Sequence, residues 1–262
     1  MDDESQCFQS PNWLTGTAIS RCLEVMEHSG QRAGQPVLAA STWLLSHIEN
    51  PSHGPTAVGD WFAGARALTQ CERLAVPLHL FGSHWALLML HLPRDDPTRS
   101  AFYVYDPLDR AGVAARGKVG VVCRWLAFEG ENRRAPYIPY ERLPVHVLRQ
   151  GPQQTNSVDC GVYVLAMAFR FLIQPNVFAR GRGLFAADGG RLRAWALSIY
   201  NMPVDEEQRR QWRHDSHRQR AQRRDRASSP QGGQPRRPLV ANTHRHVRRL
   251  GARPGSRGGR PY

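Results

Sequence analysis

Apolar positions in the first 200 residues change their spacing twice, and the changes divide the chain into a helical block, a strand block and a second helical block. Ala18 to Glu27 places Ile19, Cys22, Leu23 and Met26 at three- and four-residue steps, which predicts an amphipathic helix. Ala39 to His47 reads as a second helix, and Gly59 to Gln70 as a weaker third. Short apolar runs bounded by turn residues follow at Leu78–Leu80, Trp85–His91 and Ala101–Tyr105. These predict strands, and Pro144–Arg149 predicts another. Val119 to Phe128 reads as a helix with Val122, Trp125 and Leu126 inward, and Leu192 to Tyr200 as the last helix. Strands and helices segregated in this way argue for an α+β domain.

The run Val162, Leu165, Phe169 and Leu172 predicts a helix that opens on Cys160, with Asp159 as its N-cap. A thiol there lies in the positive end of the helix dipole, which favours the thiolate. Gln154 stands six residues ahead, a side-chain amide suited to an oxyanion. Upstream, Gly82 and Ser83 break two apolar runs, so His84 falls at the mouth of the strand that begins with Trp85. The polar turn from Leu92 to Ser100 leads into Ala101–Tyr105, which ends at Asp106. A hairpin of these strands brings His84 and Asp106 together. Cysteine, imidazole and carboxylate then form a complete set for nucleophilic catalysis. His79 and His91 lie on strand faces and read as structural histidines, Asp109 sits in a turn past the strand end, and Gln153 competes with Gln154 for the amide role.

His84-Trp85, Asp106 and Gln154-x5-Cys160-Gly161, in that order, resemble the ubiquitin-like-protein-specific cysteine proteases, best known as SUMO proteases and related to the adenovirus protease. Trp13-Leu14-Thr15-Gly16 resembles the family's opening Trp-Leu-x-Asp segment. The resemblance implies a papain-like α+β fold of the ubiquitin-like-protease and adenain type, a central mixed sheet flanked by helices. It also implies His84 as base, Asp106 as orienting acid, Gln154 as oxyanion donor and Cys160 as nucleophile, with Trp13 and Trp85 covering the substrate's last residues. The implied activity is that of a peptidase or isopeptidase cutting after the C-terminal Gly-Gly of a SUMO-type ubiquitin-like modifier, with no cofactor. Thr15-Gly16 departs from the Asn-Asp pair usual in the family, and this bears on which modifier fits. The same triad also suits an acyltransferase. A reading from another class is a catalytically idle module that binds a modifier or nucleic acid, against which the intact Cys160, His84, Asp106 and Gln154 weigh.

Charge divides the chain differently. Residues 1–200 carry 19 basic and 17 acidic side chains, whereas residues 201–262 carry 16 and 5, so nearly all of the net charge of +13 lies in the last quarter. That segment is rich in Arg, Gln, Pro, Gly and Ser without any sustained period, which predicts a catalytic domain over 1–203 and a disordered arginine-rich tail over 204–262. Its arginine clusters suit RNA or DNA phosphates or an import factor, and Arg257-Gly258-Gly259-Arg260 resembles the Arg-Gly-Gly segments of RNA-binding tails. Lys118 is the only lysine among 35 basic residues. Gly112 to Val119 nearly spells a phosphate-binding loop, but Val119 stands where a hydroxyl is needed. The five cysteines, at 7, 22, 71, 123 and 160, show neither paired nor metal-ligand spacing. No metal is expected, nor a secretory leader or membrane span, and the expected location is the nucleus or cytoplasm.

Overall fold

Among the described residues, five strands form one mixed sheet in the order β1-β2-β3-β4-β5. They are β1 (Val37–Ala39), β2 (Arg73–Leu80), β3 (His84–His91), β4 (Ala101–Tyr105) and β5 (Val145–Val147). The three central strands are antiparallel, and β1 and β5 each add parallel to an edge. The structure is a computed structural model, which describes residues 3–52, 54–58, 62, 68–109, 112–133, 137–149, 151–175 and 188–204. The arginine-rich tail beyond Val204 lies outside the described residues.

The strand side chains alternate between two cores, as the pleat requires. Ala75, Trp85, Leu87, Met89 and Tyr105 face a layer made by α1 (Gly16–Arg32), α4 (Cys160–Ile173) and α5 (Gly189–Tyr200). Leu74, Val76, Leu88, Phe102 and Val104 face α2 (Leu44–Ile48) and α3 (Gly112–Asn132), where Trp125 is fully buried. This is the α+β sheet, flanked on both faces by helices, that the sequence predicts. Both faces of β2 and β3 are covered, so these strands read as near-continuous apolar runs.

Several predicted boundaries shift, and one element is replaced. The helix expected over Ala39 to His47 is a strand followed by a short helix: Val37–Ala39 pairs with Arg73–Ala75, and α2 begins only at Leu44. Three residues buried on every side carry no alternation that would mark a strand. Most of the weak helix expected over Gly59 to Gln70 lies outside the described residues, and Leu68–Gln70 forms a 3₁₀ turn. The segment resembling a phosphate loop is the first part of α3, and its Lys118 pairs with Glu49 at 2.7 Å.

Arg73 joins the sheet to α4. Its guanidinium is buried and donates to the Phe171 and Leu172 carbonyls at 2.9 and 2.8 Å, and to Gln35 Oε1 at 2.9 Å. A cation at the negative end of a helix satisfies carbonyls that have no partner within it.

Candidate active site

The base arises from sheet register. Pairing of Leu87 with Tyr105 aligns the start of β3 with the end of β4, so His84, the first residue of β3, meets Asp106, the first residue past β4. His84 Nε2 lies 2.7 Å from Asp106 Oδ1, and the Leu108 amide donates to the same oxygen at 2.9 Å. Asp106 is buried. Its competitor Asp109 is exposed in the following turn, with φ at 49°. The next segment is tied to the same corner. Gln154 N–H donates to the Pro107 carbonyl at 2.9 Å, and Gln153 Nε2 to the Asp106 carbonyl at 3.3 Å.

The Cys160 thiol and the Asp106 carboxylate both act on the His84 imidazole. Burial pulls its pKa down, but the hydrogen bond and charge of Asp106, together with the neighbouring Cys160 thiol, push it up to about 9. A cationic imidazole beside a thiol is the arrangement a thiolate nucleophile needs. The other four cysteines are buried as well, and burial raises each thiol, Cys22 to about 12 and Cys123 to about 11.

Cys160 is the first residue of α4, as its sequence pattern predicts, but Asp159 departs from its expected role. Its backbone carbonyl accepts from Val162 and Tyr163 N–H, whereas its side chain makes no bond to the helix. The carboxylate instead takes Arg193 Nε at 2.7 Å on Oδ1 and Asn156 Nδ2 at 2.7 Å on Oδ2. A buried guanidinium competes for a carboxylate more strongly than neutral amides do. Asn156 Oδ1 in turn accepts the Val158 and Asp159 amides at 3.0 Å each. Sequence reasoning missed Arg193 and Asn156. The available signal was an arginine between Leu192 and Ala196, interrupting the inward face of the last helix.

Gln154 is buried, unlike exposed Gln153. Its Nε2 donates to the Asn156 carbonyl at 2.5 Å, and its Oε1 has no partner. The opening segment packs over the nucleophile. A side chain at Gly161 would meet Leu14 Cβ at 2.9 Å, so only glycine admits this approach. The Leu14 carbonyl accepts the Trp85 indole N–H at 3.2 Å, and His79 stacks on Trp85 with ring centroids 4.4 Å apart. Trp85 is only 6% exposed and Trp13 is 47% exposed, so Trp13 offers the larger free ring. Thr15, at the departure from the family pattern, caps α1 by accepting from Ala18 N–H at 3.1 Å. Among the described residues no cluster of three metal-ligating side chains occurs, and no helix is long and apolar enough to cross a membrane.

A family model described as the Ulp1 protease family, C-terminal catalytic domain, matches residues 12–181. The chain belongs to this family. It is similar to the ubiquitin-like-specific protease ESD4 of Arabidopsis thaliana, with 23% identity over 186 residues, covering 68% of this chain and 35% of the relative. Ubiquitin-like protease 4 of Caenorhabditis elegans is 26% identical over 109 residues, covering 41% and 28%. The chain thus spans about a third of the length of these curated relatives. Among solved structures, the SUMO protease Ulp1 with its catalytic cysteine oxidised to a sulfonic acid aligns with a TM-score of 0.60 at 18% identity, covering 75% of this chain and 81% of that one. The Ulp1 protease domain in complex with Smt3, the yeast ortholog of SUMO, aligns with a TM-score of 0.57 at 18% identity, covering 75% and 80%. At these identities the structures establish a shared fold.

Proposed function

We propose that this chain is a cysteine peptidase or isopeptidase that hydrolyses the bond after the C-terminal Gly-Gly of a SUMO-type ubiquitin-like modifier. The observation that carries the reading is an imidazole held by a buried carboxylate at 2.7 Å and raised in pKa by that carboxylate and by the thiol that opens the next helix. Family membership supports the substrate class, as does the Smt3 complex of a structural relative.

In the proposed reaction His84 takes the Cys160 proton, and the thiolate attacks the carbonyl carbon of the terminal glycine. The carbonyl π electrons move to oxygen, and the oxyanion is held by the Cys160 backbone N–H and by Gln154 Nε2, one of whose two hydrogens is taken by Asn156. Preorganised donors of this kind are worth about 10²–10³ in rate. The tetrahedral species collapses, and the C–N bond breaks as the His84 imidazolium gives its proton to the leaving amine. Water, deprotonated by His84, then hydrolyses the thioester and frees the modifier's carboxylate. Asp106 orients the imidazole and stabilises its cationic form throughout. Trp13 and Trp85 bound a slot that admits glycine and excludes larger residues.

Residues 1–203 act as the catalytic domain in this proposal, and the arginine-rich segment 204–262 directs location to nucleus or cytoplasm, or binds polyanions. A panel of modifier-propargylamide probes and modifier-AMC substrates tests the assignment. Wild type is expected to couple covalently through Cys160 to at least one SUMO-type probe. Labelled acyl-CoA should leave Cys160 unmodified. Loading by acyl-CoA, with no probe reacting, would overturn the peptidase reading.

A further inference from the structure

The nucleophile turn is held by a residue 33 positions downstream of Cys160. Arg193 is 3% exposed, and each of its nitrogens has a partner. Nε meets Asp159 Oδ1 at 2.7 Å, Nη2 meets the Val158 carbonyl at 3.1 Å, and Nη1 meets the carbonyls of Cys7 at 3.1 Å and Gln9 at 3.5 Å. One guanidinium thereby ties α5, the N-terminal segment and the turn before the nucleophile into one unit. A buried ion pair is seldom the most stable filling for a core, so its placement calls for a reason other than stability.

That reason lies in what the carboxylate would otherwise do. An aspartate at this position ordinarily accepts from the second or third amide of its helix, here Gly161 or Val162, one or two residues past Cys160. The Asp159 side chain makes no such bond, being drawn aside by Arg193 and Asn156. A carboxylate capping α4 would put a negative charge next to the Cys160 N–H, where it would repel the oxyanion that this amide must bind. The start of α5 is shaped to the same end. A Cβ at Gly189 would fall 1.7 Å from Asp159 Oδ2, so a side chain there is incompatible with the carboxylate in its present place.

We propose that Arg193 is a positioning residue that holds the Asp159 carboxylate away from the first turn of α4, leaving the Cys160 N–H to bind the oxyanion. This rests on Cys160 being the nucleophile of a modifier peptidase. The role belongs to the acyl-transfer steps, in which an oxyanion forms. Alkylation of the same thiol by iodoacetamide forms none and should be spared.

The test compares Arg193→Gln, Arg193→Lys and Gly189→Ala with wild type, by modifier-AMC turnover and by the Cys160 alkylation rate from peptide mass spectrometry. Arg193→Gln is expected to lower kcat by about 10²-fold, the scale of a lost oxyanion donor, with KM and alkylation within about threefold of wild type. Arg193→Lys, which keeps the charge without the fork, should recover part of kcat. Gly189→Ala, harmless to a helix in itself, should lower kcat in the same selective way because its methyl displaces the carboxylate. If Arg193→Gln does not fold, Gly189→Ala decides by the same two rates. Equal losses in turnover and alkylation, or a kcat within about threefold of wild type for the deciding variant, would overturn the inference. A wild type that cleaves no modifier-AMC would overturn the peptidase reading and this inference together, and so is distinguishable from failure of Arg193 alone.

Discussion

The two halves of the candidate site are built by different means. His84 and Asp106 are placed by backbone: two antiparallel strands of matched register end side by side, and each residue stands where its strand starts or stops. Cys160 is placed by side chains, because the loop that leads to it from Gln154 has no ladder and is held by Asn156, Asp159 and Arg193. A register-built half resists substitution of any one neighbour, since many backbone bonds share the load. A clamp-built half depends on a few polar groups. Each is individually costly to lose, because removing one buried partner leaves the other uncompensated.

The largest effect should come from the nucleophile itself. Cys160→Ser is expected to lower modifier-AMC turnover by at least about 10³-fold while the thermal midpoint stays near that of wild type, since the change in volume is small and the alcohol is a far poorer nucleophile. Equal turnover by the two proteins would exclude Cys160 from the chemistry.

Asp106→Asn probes the register-built half and should leave partial activity, lower by about 10²-fold, the low end of what a positioned acid–base group contributes. It also has a signature in stability. His84 is raised to about 9 in the folded chain, so its contribution to stability is fully present below about pH 6.5 and is lost as pH rises through about 9. Wild type should therefore lose stability to urea over that window, and Asp106→Asn should flatten the loss. Parallel pH dependences for the two proteins would show that the pair does not set the protonation of His84.

A smaller effect is expected at the substrate slot. Trp85 is too deeply packed to truncate cleanly, as removal of a buried tryptophan costs about 3–5 kcal/mol. The half-exposed Trp13 is the better probe. Trp13→Ala should lower kcat/KM for a Gly-Gly tail by about tenfold, on the scale of a hot-spot aromatic, and narrow the preference over a Gly-Ala tail. Similar wild-type rates on both tails would remove the slot from the account. Least affected should be the activity of Arg73→Met, remote from the chemistry, although its stability should fall by about 2 kcal/mol in urea because the Phe171 and Leu172 carbonyls lose charged donors.

This contrast also explains what was legible in the sequence. His84 and Asp106 could be placed because strand ends are marked by Gly82-Ser83 and by Asp106-Pro107, and a hairpin has only one sensible register once its ends are known. Ala101–Tyr105 was read with its observed boundaries, and Cys160 opened its helix as the apolar spacing implied. Helix ends elsewhere were read too short, as at α3, where Gly112, Gly117 and Gly120 obscure a helix that tertiary packing sustains. The Asp159 cap was misjudged because capping is a local rule, and the competing guanidinium arrives from 34 residues away. No local pattern announces such a partner. β1 was missed for a similar reason, since three residues become a strand only when β2 lies alongside.

Arg73 at one end of α4 and the turn fastened by Arg193 at the other give that helix the mechanics of an axle seated in two bearings. Such a mounting opposes sliding or rolling of the helix along the sheet. In the proposed reaction, any accommodation of a threaded chain would fall to what passes over it, the Trp13–Leu14 segment above all, while the sulfur keeps a fixed address.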